Sequence, residues 1–402
     1  PRPHPGRMHV YLGCRALVLR MFPGSVGLLV SQIRHGIKAS FSRSSSYSSQ
    51  RNFYSASRVS MMSTLARSPS VVVYSECTEG PKGIKECLKT ISPKIFEGCT
   101  FVDRNEEPLS DESVESFRKA EIVLMDTERL PALMTTLENV KWVQSTWAGV
   151  DAFINKIDPA LLPPKFTLTR LAGVFGTHMA EYVIGHILAH ERSFKFLWEA
   201  QQKKEWALDE YSATKGYQLL AGRTISVIGA GDIGTEIGKV CKAFNMRVIG
   251  LVRRDVPKEQ RNAAFDEYRL TEELPYVLEE ADFIVNVLPS TEQTMGFFSG
   301  NTLSHCKKKP VFINVGRGDV IDEASLINAI KEGWICHAVL DVYKPEPLPK
   351  ESPIWTMPEV TITPHVSAQT HAPEITGLFA DNYQRYINGE TLRHQINWAA
   401  KY

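Results

Sequence analysis

The chain lacks the cysteine pattern of a metal site or of a disulfide framework. Its 402 residues include 7 cysteines, and none of them belongs to a C-x-x-C pair. Scattered cysteines are typical of reduced thiols in a cytosol or a mitochondrial matrix, where disulfides rarely persist. The sequence therefore favours one of these compartments and predicts no metal bound through cysteine.

A strong net charge and long apolar runs are also missing. The formal net charge is +1, so no overall field attracts nucleic acid or an anionic membrane. No apolar run approaches the ~18 to 20 residues that a membrane-spanning helix needs. Hydrophobic residues make up 43% of the chain and charged residues 23%, which is typical of globular proteins. We therefore expect no nucleic acid and no membrane as partners, and the length suggests two domains.

Acidic residues are absent from the beginning of the chain. Glu76 is the first of them, whereas arginine recurs before it and serine dominates "SFSRSSSYSSQ" at 40–50. This composition is typical of a mitochondrial targeting segment. The alternative is translated upstream sequence ahead of a start at Met61 or Met62, which would favour a cytoplasmic protein. In either case residues 1–70 are expected to be a disordered tail or targeting segment outside the fold.

Beyond this segment, short apolar strands alternate with amphipathic stretches, which implies parallel pairing and an α/β fold. Most of the strands are apolar almost throughout, as expected when both faces of a sheet are buried. Long helices are predicted over 173–207 and 378–398. The predicted strands lie at 70–75, 121–126, 140–146, 224–231, 246–254, 282–289, 310–318, 336–343 and 360–366.

A glycine-rich turn opens the second series of strands. In "VIGAGDIG", Gly229, Gly231 and Gly234 follow a predicted strand and begin a helix. In that context the first glycine permits a tight turn, the second lets a pyrophosphate approach the backbone, and the third lets helix and strand pack closely. The helix N-terminus adds unpaired N–H groups that bind phosphate. The motif predicts a bound dinucleotide.

The next strand indicates which dinucleotide binds. An acid about 20 positions after the glycines would accept the ribose hydroxyls of NAD, but this chain has Val252 there, followed by Arg253 and Arg254. Two guanidinium groups can pair with a 2′-phosphate, so NADP is the preferred cofactor. NAD remains the alternative, because Asp255 could still serve a ribose.

Three ionisable residues follow later strands. Arg317 comes just after the end of "VFINV", Glu346 follows "LDVY", and His365 ends "TITPH". Ligands bind at the carboxyl edge of open α/β sheets, so these side chains can converge there. A histidine held by a carboxylate can donate a proton near neutral pH, and an arginine can orient a carbonyl next to a carboxylate. With a nicotinamide nearby, this set predicts reversible reduction of a 2-oxo acid.

Taken together, these motifs resemble the D-isomer-specific 2-hydroxyacid dehydrogenases, especially the glyoxylate and hydroxypyruvate reductase branch. The resemblance spans about 71–398 and includes "STWAGVD", "VNVLPSTEQT" and "LDVYKPEPLPKESPIW". It implies that Arg317 holds the substrate, that His365 is the general acid/base, and that Glu346 is its partner. It implies that the substrate carboxylate meets the loop of Trp147, Ala148, Gly149 and Val150. The implied cofactor-binding positions are Gly229, Gly231, Asp232, Ile233, Gly234, Arg253, Arg254, Val287, Leu288, Pro289, Thr294, Val315 and Asp341, the last of them at the nicotinamide carboxamide.

The resemblance also implies two doubly wound parallel-sheet domains, Rossmann-like and flavodoxin-like, with the active site in the cleft between them. The substrate domain would comprise 71–171 plus 367–398, and the NAD(P)-binding domain 172–366. A homodimer is expected, with the helix after residue 176 in the contact. Trp147 could cap the substrate pocket and restrict it to small oxo acids, or pack at the domain junction.

Other interpretations remain open at this stage. One is an NAD-preferring dehydrogenase of a larger hydroxy acid, and another is a dinucleotide-sensing, corepressor-like binding protein. His186 and His190 lie four positions apart on a predicted helix and could ligate a metal, but no third ligand follows. A packed histidine pair is therefore expected, with no metal.

Overall fold

A computed structural model describes residues 68–398. The targeting segment and the start site that were predicted for the preceding part lie outside the described residues. Within 68–398 no helix combines the length and the apolar character needed to cross a membrane.

The first sheet has 5 parallel strands in the order β2-β1-β3-β4-β5. This is the flavodoxin-like order, in which the connections reverse direction between β1 and β3. The strands are β1 (Val71–Tyr74), β2 (Cys99–Phe101), β3 (Ile122–Met125), β4 (Trp142–Ser145) and β5 (Thr167–Thr169).

The second sheet has 7 parallel strands in the order β12-β11-β10-β9-β6-β7-β8. Its reversal point lies between β6 and β9, the place where dinucleotides bind in Rossmann folds. The strands are β6 (Thr224–Ile228), β7 (Arg247–Val252), β8 (Glu267–Leu270), β9 (Phe283–Asn286), β10 (Val311–Asn314), β11 (His337–Leu340) and β12 (Val360–Ile362). The predicted fold class is confirmed.

Helices lie in most of the connections between strands, as is usual for parallel pairing. They are α1 (Ile84–Ile91), α2 (Pro93–Glu97), α3 (Asp111–Lys119), α4 (Leu130–Leu133), α5 (Asp151–Ile154), α6 (Gly176–Glu191), α7 (Phe194–Gln202), α8 (Leu208–Glu210), α9 (Asp232–Ala243), α10 (Leu274–Glu279), α11 (Glu323–Lys331) and α12 (Ala372–Ile387).

The prediction of one long helix over 173–207 is wrong. Helix α6 ends at Glu191, and Ser193 has a left-handed backbone (φ 50°, ψ 44°) before α7 begins. A left-handed residue cannot continue a right-handed helix, so the chain changes direction here.

The prediction of a helix over 378–398 is wrong at both ends. Helix α12 begins at Ala372, with Pro373 in its first turn, where proline is well tolerated. It ends at Ile387, and Gly389 has a positive φ of 68°, as is common just after a helix. The following residues instead run beside β5, where Ile396 N–H donates to the Leu168 carbonyl (2.9 Å).

Helix α12 packs on the first sheet, although it follows the second in sequence. The Trp142 ring stacks on Phe379 at a centroid distance of 5.2 Å, and Tyr386 donates to Glu121 Oε1 (2.7 Å). Burying a large apolar side chain contributes about 1.5–3 kcal/mol. The chain therefore crosses twice between the sheets, near 171–176 and near 367–372. The domain boundaries given above remain predictions.

Candidate active site

Strands β10, β11 and β12 are neighbours, and the segments after them carry Arg317, Glu346 and His365. Nδ1 of His365 lies 2.9 Å from Oε2 of Glu346. Because an ionised carboxylate only accepts hydrogen bonds, Nδ1 carries a proton. Nε2 is therefore the atom that can give a proton to a substrate or take one from it.

Glu346 is held from two sides. The N–H of Tyr343 donates to Oε1 (2.8 Å), while His365 engages Oε2. Burial alone raises the pKa of Glu346, but the hydrogen bonds from His365 and Tyr343 outweigh it, and the pKa lies below its ordinary value. In His365 the hydrogen bond to Glu346 raises the pKa, although burial and the charge of Arg317 oppose it. The pair therefore favours a carboxylate beside an imidazolium.

Arg317, which follows β10 of the second sheet, forms hydrogen bonds to Asp151, which follows β4 of the first sheet. Its Nε and Nη2 donate to Oδ1 of Asp151 (3.3 and 3.1 Å), and Nη1 donates to the carbonyl of Gly316 (2.9 Å). Asp151 is the first residue of α5 and completes the "AGVD" segment that follows β4. Sequence reasoning assigned no role to Asp151, because the two residues are 166 positions apart and the acid is not at a strand end.

The predicted carboxylate-binding loop lies against this arginine. A Cβ added at Gly149 would be 2.0 Å from Nη2 of Arg317, so only glycine permits this approach. Within 68–398 no hydrogen bond acceptor engages the amides of Ala148, Gly149 or Val150. The amide of Trp147 donates to Oγ of Ser145 (2.9 Å), and its predicted role in substrate binding stays a prediction. The loop can thus offer three amides beside a guanidinium, which suits an anion.

The glycine-rich turn fits a dinucleotide pyrophosphate. Gly229 has a φ of 110°, and a Cβ at Gly234 would lie 2.1 Å from the Gly229 carbonyl oxygen. A Cβ at Gly231 would meet no atom within 4 Å, so its backbone borders open space. Asp232 and Ile233 begin α9 directly after it. The open backbone and the 12-residue helix form the cradle that phosphate requires.

The other predicted cofactor positions lie around this turn. A Cβ at Gly229 would be 3.1 Å from Val287 Cγ2 and 3.4 Å from Leu288 Cδ2. Oγ1 of Thr294 donates to the carbonyl of Pro289 (2.6 Å) and so shapes the loop after β9. Val315 is buried directly after β10, and its N–H donates to the carbonyl of Asn286 at the end of β9 (3.2 Å).

Arg253 and Arg254 are exposed at the end of β7. The neighbouring Asp255 accepts a hydrogen bond from Nη2 of Arg261 (3.3 Å). Arg261 is a third guanidinium that the sequence interpretation missed, and it partly neutralises the acid that might have served NAD.

Asp341 is fully buried at the end of β11. Its carboxylate accepts hydrogen bonds from Oγ1 of Thr363 (2.5 Å) and from the N–H groups of Val366 and Ser367 (2.9 Å each). In this structure it therefore anchors the segment that carries His365.

The two histidines considered as metal ligands pack against different rings. His186 lies against Tyr182 (centroids 4.3 Å apart) and His190 against His337 (5.0 Å). Burial lowers the pKa of both histidines. They therefore occupy the interior side of α6 as separate packing contacts rather than as one pair.

Two parallel sheets, a glycine-rich turn at the reversal point, and an arginine beside a glutamate–histidine pair define a dinucleotide-dependent oxidoreductase. Comparison with known proteins gives the family. Residues 184–367 match the family described as D-isomer specific 2-hydroxyacid dehydrogenase, NAD binding domain.

Individual relatives with known names or structures belong to the same family. A curated glyoxylate/hydroxypyruvate reductase A from Enterobacter sp. (strain 638) is 31% identical over 273 residues, which are 66% of this chain and 83% of that protein. The solved structure of a D-isomer specific 2-hydroxyacid dehydrogenase family protein from Aeromonas salmonicida subsp. salmonicida A449 is 31% identical, with a TM-score of 0.71 over 83% of this chain and 100% of that one. An NADPH-dependent glyoxylate/hydroxypyruvate reductase from Sinorhizobium meliloti, solved with NADP and sulfate, is 25% identical, with a TM-score of 0.69 over 83% of this chain and 100% of that one.

The chain belongs to the D-isomer specific 2-hydroxyacid dehydrogenase family, in its glyoxylate/hydroxypyruvate reductase-like branch. It is an NAD(P)-dependent oxidoreductase that reduces 2-oxo acids.

Proposed function

We propose that the protein reduces a small 2-oxo acid of the glyoxylate and hydroxypyruvate type to the D-2-hydroxy acid, with NADPH as the preferred donor. One observation carries this proposal: Nδ1 of His365 lies 2.9 Å from Oε2 of Glu346, and Arg317 follows the neighbouring strand β10 at the same edge of the sheet. The names of the Enterobacter and Sinorhizobium relatives support the substrate class.

The residues would divide the chemistry as follows. The amides of Ala148, Gly149 and Val150, together with Arg317, bind the substrate carboxylate, and Arg317 also polarises the adjacent carbonyl. His365 donates the Nε2 proton to the carbonyl oxygen, and Glu346 stabilises the imidazolium before that transfer. A bound nicotinamide dinucleotide supplies the hydride for the carbonyl carbon. Oxidation of the hydroxy acid uses the same groups in reverse.

The cofactor would be held by the glycine-rich turn, the first turn of α9 and the loops after β9 and β10. Arg253 and Arg254 would meet the 2′-phosphate, and Asp341 would lie near the nicotinamide carboxamide. The NADP in the Sinorhizobium relative supports the preference for NADPH.

We also propose that two copies of the chain form a dimer through the region around α7 and α8. Trp206 is 91% exposed there, and Trp198 and Leu208 are exposed beside it. A groove of about 480 Å³ in this region is lined mainly by apolar residues, which include Trp206 and Leu208. An exposed apolar patch of this kind usually marks a protein contact.

The test is steady-state reduction by the full chain with NADPH and with NADH, using glyoxylate, hydroxypyruvate, pyruvate and phenylpyruvate. We expect fastest turnover with NADPH and the two small acids, and D-glycerate from hydroxypyruvate. His365→Asn should lower kcat by about 10²–10⁴-fold, while Asn388→Ala on the surface should not change it. Preference for NADH with phenylpyruvate, or tight dinucleotide binding without turnover, would contradict the proposal.

A further inference from the structure

Asp341 and Thr363 stand side by side at the carboxyl ends of two paired strands. Leu340 and Ile362 are partners in the β11–β12 register, so the next residue of each strand projects from the same edge. Oγ1 of Thr363 donates to Oδ1 of Asp341 (2.5 Å). The carboxylate also accepts the N–H groups of Val366 and Ser367. Asp341 therefore fixes the chain on both sides of His365.

The backbone of His365 needs such support. Its φ is +56°, a left-handed conformation that costs free energy in any residue other than glycine and persists only where the surroundings impose it. Its N–H donates to the main-chain carbonyl of Asp341 (2.9 Å). The ring therefore reaches Glu346 from a backbone that is held in place by Asp341.

Tyr182 extends these contacts to helix α6. Its hydroxyl lies 2.6 Å from Oγ1 of Thr363. Because the one hydroxyl hydrogen of Thr363 is directed to a carboxylate that only accepts, Tyr182 must be the donor in this pair. Burial raises the pKa of Tyr182 to about 12, so the phenol keeps its proton at neutral pH. Tyr182, Thr363 and Asp341 thus form a directed chain of hydrogen bonds.

We propose that Tyr182 and Thr363 are positioning residues for His365, which act through the carboxylate of Asp341. This inference rests on the proposed role of His365 as general acid/base. Neither residue touches the histidine ring. Their hydrogen bonds orient the Asp341 carboxylate, the carboxylate fixes the backbone from Val366 to Ser367, and this backbone sets the direction in which the ring meets Glu346.

The position of the ring determines its protonation. The charged groups that act on His365 are Glu346 after β11, Arg317 after β10 and the buried Asp341 itself. The hydrogen bond to Glu346 is the strongest of these influences and favours the charged ring. If the segment relaxes, the ring moves away from Glu346, and its pKa should fall toward the ordinary value of ~6.5.

The experiment compares Thr363→Val, Thr363→Ser and Tyr182→Phe in the full chain. Valine removes the hydroxyl at nearly constant shape, serine retains it, and phenylalanine removes only the donor to Thr363. Tyr276→Phe is the matched control, because it removes another half-buried phenol, bonded to Arg247 (3.0 Å) near β8 at the opposite edge of the same sheet.

Two quantities are measured. The first is the pKa of His365 from an NMR titration, with its signal assigned by comparison with His365→Gln among the 11 histidines. The second is the pH profile of kcat/KM for glyoxylate reduction. We expect Thr363→Val and Tyr182→Phe to lower both the pKa of His365 and the pH at which reduction is lost, and to lower kcat roughly 10-fold. Thr363→Ser should restore wild-type values.

An unchanged pKa and pH profile in Tyr182→Phe and Thr363→Val would overturn the inference, even if both variants melt at lower temperature. An equal effect of Tyr276→Phe would overturn it too. If Thr363→Val does not fold, the pKa of His365 and the pH profile of Tyr182→Phe alone test the inference. The proposed function is tested separately. If His365→Gln loses turnover while Thr363→Val and Tyr182→Phe keep the wild-type pKa and pH profile, only the inference about positioning is refuted. Retained turnover in His365→Gln would refute the role of His365, while the NMR titration would still test its positioning.

Discussion

Arg317 and Asp151 form an ion pair that joins the second sheet to the first. A single oxygen of Asp151 accepts from both Nε and Nη2 of Arg317. These two nitrogens form the edge of a guanidinium that pairs best with a carboxylate. In the structure, a carboxylate of the protein thus occupies the face that a 2-oxo acid would use.

This arrangement predicts that Asp151 competes with the substrate. Asp151→Asn keeps an oxygen for the arginine but removes the negative charge, so the KM for glyoxylate should fall several-fold, with kcat little changed. The measurement is steady-state kinetics at saturating NADPH. Asp158→Asn, which removes the charge of an exposed acid soon after α5, serves as the control. A higher KM in Asp151→Asn would mean that the acid positions Arg317 instead of competing for it.

The Glu346–His365 pair predicts the pH dependence of reduction. Reduction needs the protonated ring, so activity is present below the pKa of His365 and is lost as the pH rises through it. Since Glu346 raises this pKa, the loss should occur above the ordinary ~6.5. Glu346→Gln removes the charge, and the loss should then move to lower pH. The profile of kcat/KM measures this shift, with the exposed Glu351→Gln as control; identical profiles would speak against the pairing.

The arginines after β7 predict the cofactor preference. In Arg253→Gln combined with Arg254→Gln, the KM for NADPH should rise about 10- to 100-fold, because charge-assisted pairs with the 2′-phosphate are lost. The KM for NADH should stay the same, since NADH lacks that phosphate. Arg118→Gln, which changes an exposed arginine on α3, should affect neither cofactor. Equal losses with both cofactors would instead indicate a general defect of the site.

The exposed tryptophan predicts the assembly state. Trp206→Glu places a charge in the lining of the apolar groove, and burying an unpaired charge at a protein contact is unfavourable. The variant should therefore elute as a monomer where the wild type elutes as a dimer, as measured by size-exclusion chromatography with light scattering. Trp355→Glu changes another exposed indole outside the groove and should leave the dimer intact. A monomeric wild type would rule the proposed contact out.

Much of the fold could be predicted because most strands are short apolar runs buried on both faces. Three strands were missed. Cys99–Phe101 and Thr167–Thr169 have only three residues each, and Glu267–Leu270 carries charges because it lies at a sheet edge. Both predicted helices continue too far for a common reason: Ser193 and Gly389 have positive φ at positions that the hydrophobic pattern does not reveal.

The candidate site, like the fold, could be predicted from the sequence only in part. His365, Glu346 and Arg317 could be inferred because they follow strands whose carboxyl ends share one edge. Asp151 and Tyr182 could not, because their partners lie 166 and 181 positions away and on other elements. The occupied amide of Trp147 depends on a hydroxyl two residues earlier, a local contact that sequence spacing leaves undetermined.

Strand β12 ends three residues before His365 and is the outermost strand of its sheet. It has three residues, all only partly buried, and pairs with β11 alone. Segments with so few contacts open at a lower free-energy cost than the centre of a domain. Warming should therefore inactivate the enzyme before it melts, and hydrogen exchange should be faster in β12 than in β6 or β9. Over that temperature range the protein would remain folded but inactive, and its activity would return on cooling.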